Sequence, residues 1–389
     1  MWNTTMLTFD WKSVAITAVL ACWFSAFPAA AQQGQDAVYN SSGVVTNSPS
    51  FIDASQFGNN HTDICSVLNS ILNPANKILP AAGGVIDARG LPGPTGTSMT
   101  CTISPWGSGS SYLNVPSTIL LPATGGATPT PIIISTPWIL PSNTHLIGEG
   151  DGIPSTGSTP GTTIQAATGF SGSMIQFGTA PPPSSPLVCP LVGSVYTCTG
   201  ISVENLTLDG QGQSINGISN TYSQDATYVN HVSLYQIRGV GLLLEGSDQG
   251  NVTNSGPYSN ITFDTGSYQG TAATVCAQIL NAGSTHGIHG LSCAAETTDA
   301  PAAVLLDSSN NSIEDVRIVG FYDGISVGKN APAQSNVLLN IIGDATNNSG
   351  PSPFRDGTQV RGRLIGHSGL AREAALDLTP FPLRGWATI

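Results

Sequence analysis

The sequence predicts an all-β solenoid of the parallel β-helix type, and three observations lead to this prediction. Only 9% of the 389 residues are charged, against about 25% in an ordinary soluble domain. The chain contains 45 Gly and 27 Pro, and both residue types are unfavourable inside helices. One apolar–polar pattern recurs at intervals of 25–30 residues between positions 200 and 320. Such a period is typical of a solenoid built from short strands.

Each repeat contains two predicted strands joined by turns rich in Gly, Asn and Ser. The first strand carries an apolar anchor residue at an equivalent position, and a second apolar strand begins near residues 215, 241, 275, 303 and 324. The Leu/Asn consensus of leucine-rich repeats is missing, and a propeller blade would need four strands in about forty residues. We therefore expect β-helix coils with the anchors stacked inside. The anchors are Leu206, Val232, Ile261, Leu291 and Val316.

The same alignment defines a set of residues at the bend between strands. Stacked asparagines at this bend are expected to form an internal ladder that satisfies the backbone groups of the turn. His231, within that set, is expected to be a hydrogen-bonded core residue, whereas His289 lies one position earlier and is expected to be exposed. The bend residues are Asn205, His231, Asn260, Gly290 and Asp315.

The N-terminal residues 1–31 have the features of a secretory signal peptide. Lys12 precedes an uncharged apolar stretch from Val14 to Phe27, and small residues end at Ala31, as at a cleavage site. The stretch is too short to span a membrane, and no later segment is suitable. We therefore expect a secreted or periplasmic protein with no transmembrane span. The residues before Cys22 also resemble a lipoprotein box, so a lipid anchor at Cys22 is the alternative.

Removal of this peptide would leave six cysteines. An even number in an oxidising compartment indicates three disulfides, and we expect the sequential pairs because the partners are close in the chain. Buried free thiols remain the alternative. The sequence has no CxxC pair, so structural zinc is not expected. The expected pairs are Cys65 with Cys101, Cys189 with Cys198, and Cys276 with Cys293.

Three ordered motifs resemble those of the pectate lyase superfamily, which includes polygalacturonases and rhamnogalacturonases. Residues 63–72 form a candidate capping helix before a Gly-Gly-Val-Ile strand at Gly83, residues 140–150 contain a Gly-x-Gly turn, and residues 201–210 complete the set. The resemblance implies a right-handed, single-stranded parallel β-helix over residues 51–345 with a short N-terminal capping helix. Residues 346–389 would then be a C-terminal cap or a truncated tail.

The resemblance also implies chemistry on a polysaccharide, by a lyase or a hydrolase. The hydrolase signature of Asn-x-Asp, Asp-Asp, Gly-His-Gly and Arg-x-Lys is not intact, although residues 286–290 are similar to its third part. The formal net charge of −12 excludes a nucleic-acid binder, which needs a basic face. It also disfavours unaided binding of a polyanion. The oligomeric state is left open by the sequence.

Two acidic residues are the main candidates for catalysis. Asp209 and Asp264 align two coils apart, so their backbones should be about 10 Å apart. This spacing suits a water-separated acid pair or a shared Ca²⁺ better than a retaining pair. Arg317, the only basic residue on this outward face, is the candidate lyase base. In the alternative interpretation both aspartates cap turns, because Asp-Gly and Asp-Thr-Gly are turn sequences.

The predicted substrate groove is the outward face of the coils between residues 200 and 320. Two classes of function remain: an enzyme acting on an acidic polysaccharide, and a non-catalytic surface, adhesion or polysaccharide-binding scaffold. No cofactor is required for the enzyme, although a Ca²⁺ ion could bridge its acidic groups to those of the substrate. The expected sugar-binding residues are Thr207, Ser233, Tyr235, Thr262 and His289.

Overall fold

The computed structural model describes residues 50–361 with gaps. The predicted signal peptide and residues 362–389 lie outside the described residues. The gaps within 50–361 are 58–62, 92–98, 125–129, 154–160, 180–188, 247–251, 253, 269–270, 281–284, 296–299, 301, 322, 329–335, 345–353 and 357–359.

Within these ranges the chain forms one α-helix, α1 (Ile64–Leu72), and 26 short strands. Three 3-10 turns lie at Ala54–Gln56, Pro74–Asn76 and Gly109–Ser111. The strands are β1 (Phe51–Asp53), β2 (Gly84–Asp87), β3 (Met99–Cys101), β4 (Ser117–Leu120), β5 (Ile132–Ile134), β6 (Trp138–Leu140), β7 (Thr144–Ile147), β8 (Thr163–Ala166), β9 (Ser173–Phe177), β10 (Leu191–Val192), β11 (Val195–Tyr196), β12 (Cys198–Thr199), β13 (Ser202–Gln213), β14 (Asn216–Asn220), β15 (Ser223–Gln224), β16 (Tyr228–Ile237), β17 (Val240–Glu245), β18 (Tyr258–Asp264), β19 (Val275–Leu280), β20 (Ile288–Ala294), β21 (Ala302–Asp307), β22 (Ser312–Val319), β23 (Asp323–Val327), β24 (Asn336–Asp344), β25 (Phe354–Asp356) and β26 (Val360–Arg361).

Two long parallel sheets run along the solenoid. Sheet A has the order β1-β2-β4-β7-β13-β16-β18-β20-β22-β24-β26, with β8, β5 and β3 joined to it at β13, and sheet B has the order β25-β23-β21-β19-β17-β14-β9-β6. From β13 to β23 each coil adds one strand to each sheet, so β16 neighbours β13 and β18 in sheet A, and β17 neighbours β14 and β19 in sheet B. This arrangement confirms the predicted parallel β-helix. Strands β25 and β26, within the segment 346–389, pair with β23 and β24.

The anchor residues stack in register inside the coils, as predicted. Leu206 pairs with Val232, and the row continues through Ile261, Leu291 and Val316. None of the five is more than 1% exposed. Burial of each aliphatic side chain stabilises the fold by about 1.5–3 kcal/mol, and each coil supplies the apolar floor for the next. The alternation of apolar and polar residues in sequence therefore becomes a continuous core.

The bend residues differ from the prediction of an internal ladder. Each has a left-handed backbone with φ between 51° and 67°, and Asn340 extends the set by one coil. The left-handed residue bends the strand, so the two halves of one strand pair with different neighbours. In β13, residues 202–204 pair with β7 and residues 207–209 pair with β8. His231, Asn260 and Asp315 are exposed rather than internal. The prediction of a core His231 is therefore wrong.

An internal asparagine ladder does exist, at a different turn. The backbone N–H of Asn311 donates to Oδ1 of Asn336 at 2.9 Å, and the N–H of Thr285 donates to Oδ1 of Asn311 at 3.2 Å. Asn311 and Asn336 are each 2% exposed. These side-chain amides accept hydrogen bonds from buried backbone N–H groups of turns in successive coils. The sequence analysis had predicted that role for the bend at Asn205 and Asn260.

The N-terminal end of the solenoid is covered by α1, as the family resemblance implied. Asp63 is its N-cap and accepts a hydrogen bond from the N–H of Ser66 at 2.9 Å. The helix buries Ile64, Leu68 and Ile71 against the first coils, each at 1% exposure or less. This face closes the apolar end that a solenoid would otherwise expose.

All three predicted disulfides are present. Cys65 pairs with Cys101, Cys189 with Cys198, and Cys276 with Cys293. The first ties α1 to β3, and the third links sheet B to sheet A across the coil interior. A helix long and apolar enough to cross a membrane was not found among the described residues.

Candidate functional site

The two predicted catalytic aspartates both act as turn caps. Asp209 is 8% exposed and accepts hydrogen bonds from the N–H of Gln211 at 3.0 Å and from its side-chain amide at 2.5 Å. Burial raises the pKa of Asp209, and the two bonds from Gln211 partly oppose that effect. Asp264 accepts a 2.7 Å bond from the N–H of Gly266. The geometry therefore agrees with the alternative interpretation of both residues.

The two aspartates lie in the predicted register row, but the residue between them is buried rather than exposed to a groove. Tyr235 lies between Asp209 and Asp264 and is only 7% exposed. Its hydroxyl packs at Gly266, where an added Cβ would lie 3.0 Å from it. A buried ring between the two carboxylates separates them. Within the described part of the chain there is no group of three or more His, Cys, Asp or Glu side chains able to hold a metal ion.

The outward hydroxyl row is covered at its N-terminal end. Thr207 is fully buried, donates to the carbonyl of Gly152 at 2.9 Å and accepts from its N–H at 3.1 Å. Ser233 is 1% exposed and donates to Oδ2 of Asp151 at 3.1 Å. Residues 151–152 thus lie over the first two coils, where the groove was expected to be open. Thr262 is only partly buried and Arg317 is exposed, so the hydroxyl row becomes accessible to solvent in the later coils.

A different set of polar residues is brought together on the other half of sheet A. Ser202 and Tyr228 each donate a hydrogen bond to Oε1 of Glu204, at 2.9 and 2.8 Å. Nδ1 of His145 lies 2.9 Å from the Ser202 hydroxyl. We call His145, Ser202, Glu204 and Tyr228 the acid–base chain. Its members come from three successive strands of sheet A, β7, β13 and β16.

The register of sheet A explains why these four side chains meet. His145 pairs with Ser202, and Ser202 pairs with Tyr228. Glu204 lies two residues after Ser202, so its side chain leaves the same face of the strand. The apolar residues between them, Leu146 and Val203, point inward and are fully buried. Ordinary strand alternation therefore aligns the chain on the outward face.

The hydrogen bonds leave one carboxylate oxygen available. While the single proton of the Ser202 hydroxyl is donated to Glu204, Ser202 can only accept from Nδ1 of His145. In that arrangement Nδ1 carries a proton, and Nε2 of His145 faces away from Ser202. Within the described residues, Oε2 of Glu204 has no hydrogen-bond partner, while Oε1 accepts two. Burial raises the pKa of Tyr228, and its bond to Glu204 raises it further, while a hydrogen bond with Ser202 partly opposes the shift.

The acid–base chain lies in a longer outward row that we call the polar face. In register, Glu204 is followed by Asn230, Ser259, His289 and Glu314. The side chain of His289 is 36% exposed, its Nδ1 lies 3.5 Å from Oε2 of Glu314, and its Nε2 lies 3.3 Å from the backbone carbonyl oxygen of His286. The row is therefore polar over five consecutive coils.

The N-terminal end of the polar face carries an ion-pair cluster. Arg89 contacts Asp87 at 2.8 Å and Glu149 at 3.4 Å. The guanidinium lowers the pKa of Asp87, chiefly through their side-chain hydrogen bond. Both acidic groups balance one cation, so Arg89 is already neutralised. On sheet B, the register row through Gln176, Ser219, Leu243, Gln278 and Leu305 has no titratable side chain at these five positions.

The sequence analysis did not identify the acid–base chain. Ser202 and Glu204 lie within one strand, but His145 is 57 residues from Ser202, so no contiguous motif marks the group. One signal was available: Ser-x-Glu followed by a bend residue occurs at 202–205 and again at 312–315.

Comparison with solved structures finds matches of low TM-score and low sequence identity. The ORF18 protein of Geobacillus virus E2 matches with a TM-score of 0.34 and 12% identity, over 82% of this chain and 61% of that one. The A-module of the mannuronan C-5 epimerase AlgE6 from Azotobacter vinelandii matches with a TM-score of 0.29 and 14% identity, over 81% and 88%. The chain thus spans about three-fifths of the phage protein. No family model and no curated protein matches it.

Proposed function

We propose that this protein is a carbohydrate-active β-helix protein that acts on a polysaccharide at the acid–base chain. The observation that carries the proposal is the pair of hydrogen bonds from Ser202 and Tyr228 to one oxygen of Glu204. They fix the carboxylate on an outward sheet face and leave its second oxygen directed to a ligand. A polymer can lie along such a face because its polar side chains repeat in register from coil to coil.

The roles of the four residues follow from their contacts. Glu204 is the group that exchanges a proton with substrate, and Ser202 and Tyr228 orient it. Tyr228 remains protonated near neutral pH, since its pKa is raised, and is a proton donor. His145 holds Ser202 and presents Nε2. Carboxylate, imidazole and phenol are common acid–base groups in enzymes. The acid–base chain contains one carboxylate rather than the flanking pair of a glycosidase, which favours a lyase over a hydrolase.

The nature of the polymer is part of the proposal. The motif resemblance suggested an acidic polysaccharide, but the polar face carries Glu204 and Glu314, two of the 23 acidic residues that give the chain its net charge of −12. A uronan would therefore need a bound cation such as Ca²⁺ to bridge its carboxylates to the protein. Export to an oxidising compartment, which the three disulfides favour, would place the protein where such polymers occur.

The experiment is a release assay on a panel of neutral and uronic acid polysaccharides, with and without Ca²⁺. Unsaturated ends, detected by ultraviolet absorbance, identify a lyase, and new reducing ends without unsaturation identify a hydrolase. Wild type is compared with Glu204→Gln. Turnover that depends on Glu204 supports the proposal. Binding without turnover, or no response to any polymer, supports the alternative of a non-catalytic surface or adhesion scaffold.

A further inference from the structure

The Ser-x-Glu arrangement occurs a second time on the polar face, with the same local geometry. The Ser312 hydroxyl donates to Oε1 of Glu314 at 2.7 Å, as Ser202 does to Glu204 at 2.9 Å. Each glutamate is followed by a left-handed bend residue, Asn205 with φ 53° or Asp315 with φ 56°. The backbone therefore presents the two carboxylates from the same place in the coil.

A polar partner from a neighbouring coil completes each unit. Oε1 of Glu204 also accepts from Tyr228 of the next coil, whereas Oε2 of Glu314 faces Nδ1 of His289 in the preceding coil at 3.5 Å. The side chains of His289 and Glu314 are 36% and 32% exposed. Because both ring nitrogens of His289 have protein contacts, the carboxylate of Glu314 is the group through which the cluster would meet a ligand. We call His289, Ser312 and Glu314 the distal cluster.

The two units belong to one continuous track. Glu204 and Glu314 occupy the same register row four coils apart, a separation of about 19 Å at the usual strand spacing. Between them the row contains Asn230 and Ser259, which are polar and uncharged, and then His289, which contacts Glu314. The strand segments that form the track, from Ser202 to Glu314, contribute no Lys or Arg to this row. Such a floor suits hydroxyl groups of a sugar chain.

We propose that the distal cluster is a second sugar-binding subsite for the same polymer that the acid–base chain acts on. This inference rests on the proposed function and adds a minimum substrate length. An oligosaccharide long enough to cover four coils contacts both glutamates, whereas a shorter one binds at the acid–base chain and contacts only Glu204. Glu314 is a binding residue and takes no part in the proton transfer.

The test measures binding against chain length by calorimetry. The probes are size ladders of gluco-, xylo- and galacturono-oligosaccharides from disaccharide to decasaccharide, the last with Ca²⁺. For wild type, the affinity for one ladder rises with length and levels off once both units are covered. Glu314→Gln lowers the affinity for the long oligomers of that ladder about tenfold, the loss expected for one charge-assisted hydrogen bond, and leaves the short ones unchanged.

A matched control lies in the next residue. Asp315 is exposed on the same coil and accepts a 2.8 Å bond from the amide of Asn340, so Asp315→Asn changes the local charge equally but should leave every affinity unchanged. Long-oligomer affinity that is insensitive to Glu314→Gln, or that falls equally in Asp315→Asn, overturns the inference and leaves the proposed function standing. If wild type binds none of the ladders, both fail together.

Discussion

The hydroxyl of Tyr228 donates a 2.8 Å hydrogen bond to the carboxylate of Glu204, which lies one coil earlier on sheet A. The same oxygen accepts from Ser202, so a glutamate on an outward face is held in one orientation by two neighbours. A solvated surface glutamate has no need of such support. The contact joins two coils and defines the place where we expect chemistry.

Replacement of Tyr228 tests the role of that contact. Tyr228→Phe removes the donor but keeps the ring, so we expect kcat to fall by about 10²–10⁴-fold, the usual contribution of a positioned acid–base group. The melting temperature should change little, because the hydroxyl is on a partly exposed face. Tyr196→Phe, in the hairpin of β10 and β11, is the control and should keep full turnover. Equal activity of both variants would remove Tyr228 from the proposed site.

The pKa of Asp209 gives a pH-dependent prediction for stability. Because its pKa is raised in the folded protein, the ionised carboxylate is penalised there, and stability from the neutral form is lost as pH rises through the folded pKa. Asp209→Asn removes this penalty. Its Oδ1 can still accept from the N–H of Gln211, and its side-chain amide can donate to Oε1 of Gln211 once the Gln211 amide rotates. We expect the variant to match or exceed wild-type stability at pH 7, with the difference shrinking in acid.

Thermal melts of both proteins across the acid range check this expectation. Asp264→Asn, whose carboxylate also caps a turn, is the comparison. A large loss of turnover in Asp209→Asn at unchanged melting temperature would restore Asp209 as a functional residue.

The bend at His231 tests why the coils turn where they do. His231 is exposed and has φ 52°, a conformation that Asn tolerates and a β-branched residue does not. His231→Val should cost about 1–2 kcal/mol in the free energy of unfolding, whereas His231→Asn should stay close to wild type. Chemical denaturation measures both. An equal and large loss in the two variants would mean that the imidazole itself supports the core.

The disulfide between Cys276 and Cys293 should contribute measurably to stability. It closes a loop with a sequence separation of 17, for which the chain-entropy estimate is about 3 kcal/mol. The double variant Cys276→Ser, Cys293→Ser should lower the free energy of unfolding by that amount while leaving the polar face intact. Thiol titration of unfolded wild type, without reductant, should find all six cysteines of the three disulfides oxidised. Free thiols would contradict the assigned pairs.

Much of the fold could be predicted from the sequence because a solenoid repeats its own packing. Leu206 and Val232 lie in register since each coil rests on the one before, and the apolar period records that contact directly. The polar surroundings could not be read in this way. Thr207 has the right alternation for an exposed hydroxyl, yet it is buried because Gly152, from an earlier coil, lies over it. The alternation of polar and apolar residues predicts which side of a strand a side chain leaves, but it does not predict whether another segment covers that side.

The site illustrates the same limit. Asp209 and Asp264 attracted interest as charged residues in aligned positions, but each carboxylate is used by a backbone N–H two residues later. Glu204 was not identified, because the contact that distinguishes it comes from Tyr228 in the next coil. The position of a charge in a repeat was predictable, and the hydrogen bonds that decide its use were not.

The most direct test of the account is the turnover of Glu204→Gln on the polysaccharide that wild type processes, measured together with its melting temperature. Glutamine keeps the shape and can still accept from Ser202 and Tyr228, but it cannot exchange a proton as the carboxylate does. We predict that turnover falls at least a hundredfold while the melting temperature stays within the range expected for a surface substitution. Turnover equal to wild type in a folded Glu204→Gln protein would contradict the assignment of the acid–base chain.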